Sequence, residues 1–583
     1  MGAGVDRAGI VAALREIAAR LRLAGENPFR ARAYATGADA VEALSDPQLA
    51  RRLERGTLPE IAGIGGALAA VIGELARSGR AELLERLRAG APAALLELTR
   101  VPGVTKKRAR ALHDALGVAS VDDLAAAAQA GRIRDVKGFG PKTEASILEA
   151  VRAYRQRPVA IRLIDAREAA ASLARFVGDC PGVDAAEVAG GVRRWEEVIE
   201  EVAVMAVVGH GTARAGEAVA GYPPLARVEE RGPDLVVGRL ADGVRVRVRF
   251  APPSRRGVVL VEETGPAAHV AALRARAEER GLDWDALRAS DEARLYAALD
   301  LPVIPAEIRA WAPLPPPDLG DLISADDLQG AVHCHTTYSD GRHTIAEMAR
   351  AADARGLRYM TITDHSPSAA YAGGLDVDRL RAQWDEIARV QETVKVRLLR
   401  GTEADILADG ALDWDDDLLR RFDVVIASVH RRHRLDAGAM TERLVRAMHL
   451  PMFKIWGHAL GRLILRRDPI ACDVEAVLDA VAGAPAAVEL SGDPYRLDLP
   501  PVWIPAARRR GIRFVISTDA HAIADLDNVE YGVAMARRGG VRRAEVLNAL
   551  PFAAFRAAVH PVNGSRGRRP PGIPTSSPPW LPS

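Results

Sequence analysis

Imidazole and carboxylate side chains recur in short clusters through the C-terminal half of the chain, and each cluster closes an apolar run. "VHCHTTYSDG" supplies His333, His335 and Asp340, and "TITDHS" supplies Asp364 and His365. Glu403 follows in "GTEADI", His430 in "ASVH", His458 in "WGHALGRL", and Asp519 with His521 in "STDAH". One strand-end histidine is usually a packing or surface residue. So many ionisable groups cannot share an interior uncompensated, because each unpaired buried charge costs several kcal/mol. Mixed nitrogen and oxygen donors of this kind hold divalent cations, and zinc, manganese and iron all accept them. The His-x-His pair is the most telling, since alternation along a strand points both imidazoles toward one cation.

The elements that must position these groups are legible in the flanking pattern. The runs "YMTITDH", "VVIASVH", "AAVEL" and "RFVISTDAH" alternate with amphipathic helices, which predicts a parallel α/β fold whose strand ends converge on one face. Before it, residues 159 to about 320 carry β runs such as "EVAVMAVV" and "GVRVRVRFA" among helices, an α+β pattern, and "WAPLPPPDLGD" makes a proline-rich join. Residues 1–158 are Ala/Leu-rich and all-helical by periodicity. The expected fold is therefore multidomain: all-α, then α+β, then α/β.

The helical region contains three similar turns: "IAGIGGALAAVI" with Gly63 and Gly65, "VPGVTKKRARAL" with Gly103, Lys106 and Lys107, and "VKGFGPKTEASIL" with Lys137, Gly138, Gly140 and Lys142. Each places a glycine hairpin before a helix, so that N-terminal N–H groups face an anion. These turns resemble the helix-hairpin-helix module, which grips the DNA backbone without reading sequence. The resemblance also allows a monovalent cation at the turns. In the second copy Thr105 replaces the later glycine, which weakens the expected grip.

Composition limits the alternatives. Lys+Arg at 79 against Asp+Glu at 77 leaves a formal charge of +2, so any nucleic-acid surface must be local. Four of the six lysines lie in the helical region just described. Three dispersed cysteines, Cys180, Cys334 and Cys472, form no disulfide framework or zinc ribbon and fit a cytoplasmic, nucleoid-associated setting. Neither a signal-peptide pattern nor an apolar run long enough to span a membrane occurs.

Residues 328–560 resemble the PHP (polymerase and histidinol phosphatase) domain, whose HxH, downstream aspartate, TDH, central glutamate, SVH, GH and DAH motifs occur in order. The resemblance implies a distorted (β/α)7 barrel holding two or three divalent ions (zinc, manganese or iron) for phosphoester hydrolysis. It carries over His333, His335, Asp340, His365, Glu403, His430, His458, Asp519 and His521 as metal-binding and catalytic positions. Arg431 and Arg496, beside those motifs, are candidates for clamping phosphate. Departures fall at Ala331, Ala459-Leu460 and Ser491, on the substrate side.

Taken in order, the regions up to residue 560 resemble the bacterial family X DNA polymerases. The implied division is an N-terminal helical domain (1–95), a fingers-like helix-hairpin-helix region (96–158), palm and thumb (159–315), a linker (316–327), the PHP domain (328–560) and a disordered tail (561–583). That family's active site reads "GSxRRGxxxxGDxDxL", whereas this chain reads "GGVRRWEEVIEEVAVM" from Gly190. The first aspartate is Glu201, the second Ala203, and the third, on a later strand, Arg247. Two-metal nucleotidyl transfer needs those carboxylates. Compensation by Glu197, Glu200 or Glu201 is a route back to polymerase activity, opposed by Ala203 and Arg247. The resemblance thus implies a monomeric DNA phosphoesterase acting on gapped, nicked or 3′-ended duplex, with exonuclease, 3′-phosphatase and abasic-endonuclease activities all open. A non-catalytic scaffold, a small-molecule phosphatase and a residual polymerase remain as rival readings.

Overall fold

The computed structural model describes residues 7–561, apart from 24–27, 43, 45, 62, 63, 79, 91–97, 99, 100, 102, 157, 158, 241, 242, 312, 313, 315–319 and 432–434. Gly63 and the tail from 562 onward lie outside the described residues. Two compact units divide the chain, Met1–Pro158 and Val159–Ser583.

The described part of the first unit is helical, as its periodicity predicts. In Arg7–Leu23 the residues Ile10, Leu14, Ile17 and Leu21 recur every three or four positions and are buried, forming one core with Ile72 and Leu75 of Gly66–Ser78. A second core gathers Leu112, Leu124, Ile133, Ile147 and Val151 under helices Lys106–Leu116, Val121–Gln129 and Pro141–Gln156.

In the second unit a mixed five-stranded sheet comes first. Its strands are β1 (Ala185–Ala189), β2 (Glu201–Val207), β3 (Leu225–Arg231), β4 (Leu235–Leu240) and β5 (Arg245–Ala251), in the order β1-β2-β5-β4-β3. Helices Arg256–Thr264, Ala267–Glu279 and Glu292–Ala298 follow with their own small core.

The remainder forms seven parallel strands that neighbour one another in chain order: β6 (Gly330–Cys334), β7 (Tyr359–Ile362), β8 (Arg397–Asp405), β9 (Val424–Ser428), β10 (Lys454–Trp456), β11 (Ala486–Ser491) and β12 (Arg513–Ser517). Strands such as β9 are buried at every position, as a parallel sheet covered on both faces requires. The ring closes between β6 and the end of β12. His335 N donates to Ala520 O (2.8 Å) and Ala520 N to His333 O (3.0 Å). At the other end of the seam buried Asn548 donates to Gly330 O (3.1 Å) and Ile516 O (2.7 Å) and accepts from Ile516 N (3.0 Å).

The stretch 316–327, expected as a linker, is only partly one. Leu322 bridges to Arg542, buried Ile323 donates its N–H to Val541 O (3.1 Å) and packs in the barrel core, and Ala325–Asp327 is a capped 3-10 turn. The physical reason is the apolar Leu322-Ile323 pair, flanked by Asp321 and Ser324, which packs inward.

Candidate metal centre and the degenerate palm

Strand β6 delivers the His-x-His pair differently from simple alternation. Its register against β7 slips between Ala331 and Cys334, and His333 sits at φ +67°, so the strand bulges at the first ligand position. The His333 N–H released by the bulge finds Thr361 Oγ1 (3.1 Å). His335 lies just past the strand end, yet its ring centroid is 5.2 Å from that of His333, while Cys334 between them joins the barrel core. His458 (φ +24°) and Asp519 (φ +50°) are also left-handed. Three strained non-glycine residues at one strand-end face mark a site whose geometry the surrounding fold enforces.

All nine positions meet around Glu403. Its Oε1 lies 2.8 Å from His458 Nε2, 3.1 Å from His430 Nε2 and 3.4 Å from His333 Nε2. Its Oε2 faces His365 Nδ1 (2.9 Å) and His335 Nε2 (3.7 Å). Asp519 Oδ1 is 3.2 Å from His335 Nε2 and 3.4 Å from His333 Nε2. Asp340 Oδ1 is 3.4 Å from His521 Nε2 and 3.6 Å from His365 Nε2. Three groupings result: His333, His335 and Asp519; His365, Glu403 and His430; and His335, Asp340, His365 and His521.

Two observations test whether these residues fit divalent ions. Donors about 2.1 Å from a shared tetrahedral cation stand about 3.4 Å apart, and these donor pairs lie between 2.8 and 3.7 Å. In addition, His333 Nε2, both ring nitrogens of His335 and Glu403 Oε2 are buried without a hydrogen-bond partner. Such orphaned atoms are costly unless something polar engages them. The donor set fits divalent cations on both counts.

Three histidines are locked with one nitrogen turned inward. His333 Nδ1–H donates to Glu489 Oε1 (2.6 Å), His430 Nδ1–H to Asp405 Oδ1 (2.8 Å) and His521 Nδ1–H to the Asp519 carbonyl (2.7 Å). Each bond fixes the tautomer that leaves Nε2 facing the cluster. Glu489 and Asp405 were missed as site residues from the sequence, although both are carboxylates within apolar β runs. Glu489 is fully buried and also accepts from Ser517 Oγ (2.6 Å) and the His458 N–H. Asp364 does not touch the cluster's centre. It accepts from Thr336 N (2.7 Å), Thr336 Oγ1 (2.6 Å) and Gln383 Nε2 (2.7 Å), and so ties down the loop after His335.

Electrostatics within the cluster follow from burial and sign. Burial and the neighbouring His521 and His365 push His335 down to about 3. Burial also opposes the charged form of His365, but Glu403 and Asp340 outweigh it and lift the ring to about 10; His430 and His521 rise to about 9 in the same way. Burial alone would raise Glu403 and Asp519, yet the surrounding imidazoles hold both well below the usual carboxylate range.

At the mouth, Asp340 and His521 are partly exposed, and Tyr371 is 67% exposed with its ring 6.3 Å from those of both His365 and His430. Arg496 stands at the same site, with Nε 3.7 Å from Asp519 Oδ2 and 3.2 Å from Asp493 Oδ2. Arg431 is exposed beyond His430, and its backbone oxygen accepts from Arg443 Nη1 (3.0 Å). Among the described residues the fold brings Arg496, rather than Arg431, within ion-pair distance of the cluster.

The palm positions also meet, with the opposite result. The parallel pairing of β2 with β5 sets Glu201 beside Arg245 and Ala203 beside Arg247. Glu201 Oε1 accepts from Arg247 Nε (2.8 Å) and Oε2 lies 3.2 Å from Arg245 Nε. The remaining carboxylate is neutralised by two guanidinium groups where cations would have to bind. Glu197, one candidate compensator, is engaged elsewhere by Arg462 and Arg538.

The three helical turns share one geometry. Ile64 N donates to Ile61 O (2.9 Å), Val104 N to Val101 O (3.1 Å) and Phe139 N to Val136 O (2.9 Å), each just before a helix. Gly103 and Gly138 adopt φ +80° and +92°, which only glycine takes at no steric cost. A Cβ at Gly65, Gly138 or Gly140 would meet open space, so packing does not demand these glycines. What they leave is uncovered backbone. Lys107, Lys137 and Lys142 are exposed, and Lys106 opens its helix. Thr105 caps the second helix by accepting from Arg108 N (3.3 Å), which occupies one N–H that an anion would use.

Comparison with known proteins agrees with this layout. Residues 6–81 match a helix-hairpin-helix domain, 95–153 a SAM-like helix-hairpin-helix tandem and 331–459 a PHP domain. The DNA polymerase/3′-5′ exonuclease PolX of Bacillus subtilis is 32% identical over 93% of this chain and 97% of its own length. Probable phosphatases of Caldanaerobacter subterraneus (28% identical) and a Shewanella species (25%) match 37% and 38% of this chain, and 85% and 87% of their own lengths.

Proposed function

The chain belongs to the PolX family of bacterial family X DNA polymerases, and from that premise we propose that it is a DNA-binding, metal-dependent phosphoesterase that trims 3′ ends in repair and no longer polymerises. The observation that carries this reading is the contrast between the two sites. The PHP cluster keeps nine converging donors with buried nitrogens left for a cation, while the palm's one remaining carboxylate is tied to Arg245 and Arg247.

His333, His335, Asp340, His365, Glu403, His430, His458, Asp519 and His521 would hold two or three ions in this reading. Bound zinc, manganese or iron supplies Lewis-acid polarisation of a phosphoryl oxygen and acidifies water. Glu489, Asp405 and the Asp519 carbonyl keep three imidazoles oriented. Arg496, anchored by Asp493 and Asp519, holds the phosphate through its planar donor fork. The exposed Tyr371 ring offers a face on which a terminal base stacks. The helix-hairpin-helix turns grip the duplex backbone through Lys107, Lys137 and Lys142. The domain limits 1–95, 96–158, 159–315 and 328–560 remain part of this reading, as does a cytoplasmic, nucleoid-associated monomer; among the described residues no helix is long and apolar enough to cross a membrane.

The test is a 5′-labelled primer–template with Mn²⁺, with and without dNTPs, comparing wild type with His333→Ala/His335→Ala. Stepwise shortening that vanishes in the variant, with no extension, is expected. Primer growth would overturn the lost-polymerase reading. Turnover of a small phosphate ester alone, uncompeted by DNA, would favour the phosphatase named in the shorter relatives.

A further inference from the structure

The former polymerase motif has not been left idle. Trp195, at the position where the family pattern has glycine, occupies a left-handed conformation (φ +57°) that a bulky residue takes only when its surroundings enforce it. Those surroundings come partly from the palm's own core and partly from the barrel. Its ring meets Tyr531 edge-on (5.5 Å), its carbonyl accepts from Arg538 Nη1 (3.1 Å), and Arg167 stacks over it (3.9 Å) while pairing with Glu530 (3.1 Å).

Two residues on, Glu197 spends both carboxylate oxygens on the barrel. Oε1 accepts from Arg462 Nη2 (2.6 Å) and Oε2 from Arg538 Nη1 (3.0 Å). The same Arg462 guanidinium donates from Nε to Arg496 O (2.8 Å) and from Nη2 to Leu497 O. One planar cation thus holds two consecutive carbonyls while Glu197 holds the cation. Leu497 is fully buried in a core built mainly from palm residues such as Leu163, Val192 and Val204, and its own φ is +47°. Its neighbour Arg496 stands beside Asp519 of the metal cluster. A single dipeptide step therefore runs from the palm's core to the phosphoesterase site.

We propose that Glu197 is a positioning residue for the PHP site: through Arg462 it fixes the Arg496–Leu497 step and so sets the Arg496 guanidinium beside Asp519. The palm, in this view, has become a brace for the hydrolase. The proposal rests on the reading of Arg496 as the phosphate clamp, and the experiment separates the two.

Inorganic phosphate is titrated calorimetrically into the full-length, Mn²⁺-loaded protein, with metal content and melting midpoint recorded for every variant and hydrolysis followed in parallel. Glu197→Ala is expected to weaken phosphate binding about tenfold at unchanged metal content, the loss of one well-placed charge-assisted contact. Arg496→Ala weakens it at least as much. In the double variant Glu197→Ala costs nothing further, because its effect passes through Arg496. Glu197→Gln, which keeps one acceptor for Arg462, falls between and serves if the alanine variant does not fold. Glu530→Gln, which cuts a different palm–barrel contact, leaves phosphate affinity unchanged. An undiminished Glu197→Ala effect on the Arg496→Ala background overturns the brace, as does an equal loss in Glu530→Gln or no loss in Glu197→Ala. If Arg496→Ala itself leaves phosphate binding intact, the clamp reading fails and the brace with it.

Discussion

Replacing Glu489 with glutamine isolates one of the two carboxylates, with Asp405, that sequence reasoning overlooked. Oε1 takes two donors, His333 Nδ1–H and Ser517 Oγ–H (both 2.6 Å), and Oε2 takes the His458 N–H. A glutamine can turn its oxygen to the first pair, but its NH₂ then confronts the His458 N–H, donor against donor. The lost bond has a charged acceptor, worth about 1.5–3 kcal/mol. Removing the whole partner of a ligating histidine costs about 10–100-fold in metal affinity, or about 1.4–2.8 kcal/mol, which is the ceiling for a glutamine that keeps the His333 bond. Chelator-competition titration with Zn²⁺ or Mn²⁺ should therefore show a loss of about one decade in affinity. The apo protein's melting midpoint should fall as well, since His333 loses its nearest counter-charge. A folded Glu489→Gln protein with wild-type metal affinity would refute the claim that the charge of this carboxylate supports the His333 and His458 positions.

The other expectations concern the DNA grip and the thumb. Lys137→Ala/Lys142→Ala should weaken DNA binding uniformly across sequences and make the slope of log affinity against log salt shallower by about 1–2, as measured by anisotropy at several salt concentrations. An unchanged slope would remove those lysines from the contact. His269 is pushed down to about 4 by burial and by nearby Arg309, and its ring nitrogen lies 2.8 Å from Tyr296 Oη. The unfolded chain takes up a proton below pH 6.5 that the folded one refuses until about 4. Stability should therefore drop as pH falls through that window, by roughly 3 kcal/mol in total at 1.36 kcal/mol per unit. His269→Gln should flatten this part of the urea-denaturation profile; an unchanged slope would show that the ring is not the source.

The clustering of these positions was legible because they interrupt apolar strands near their ends with groups too costly to bury alone, as His430 does after Val424–Ser428. The seven-stranded ring and the helical N-terminal unit were legible for a related reason: continuous apolar runs between amphipathic helices report strands covered on both faces, and a period of 3.6 reports the covered face of a helix. Glu489 was not, since a carboxylate within the run "AAVEL" gives no local hint of the imidazole 156 residues earlier that it holds. The bulge at His333 was equally hidden. Alternation alone would have aimed the pair, and only the register slip against β7, with Thr361 taking the released N–H, shows how the strand actually turns.

The two sites differ in what their charges cost. A carboxylate triad without its cations is mutually repulsive, and alanine and arginine at two of its positions remove that repulsion. At Glu201 that relief is visible as a pairing with Arg245 and Arg247 across two strands. The PHP cluster has had no such relief: His335 remains buried with both ring nitrogens unbonded and is pushed down to about 3, a configuration that costs stability in the apo state. A fold keeps that cost only where a ligand repays it. Glu197, from the same motif as Glu201, pairs instead with Arg462 and Arg538 of the barrel.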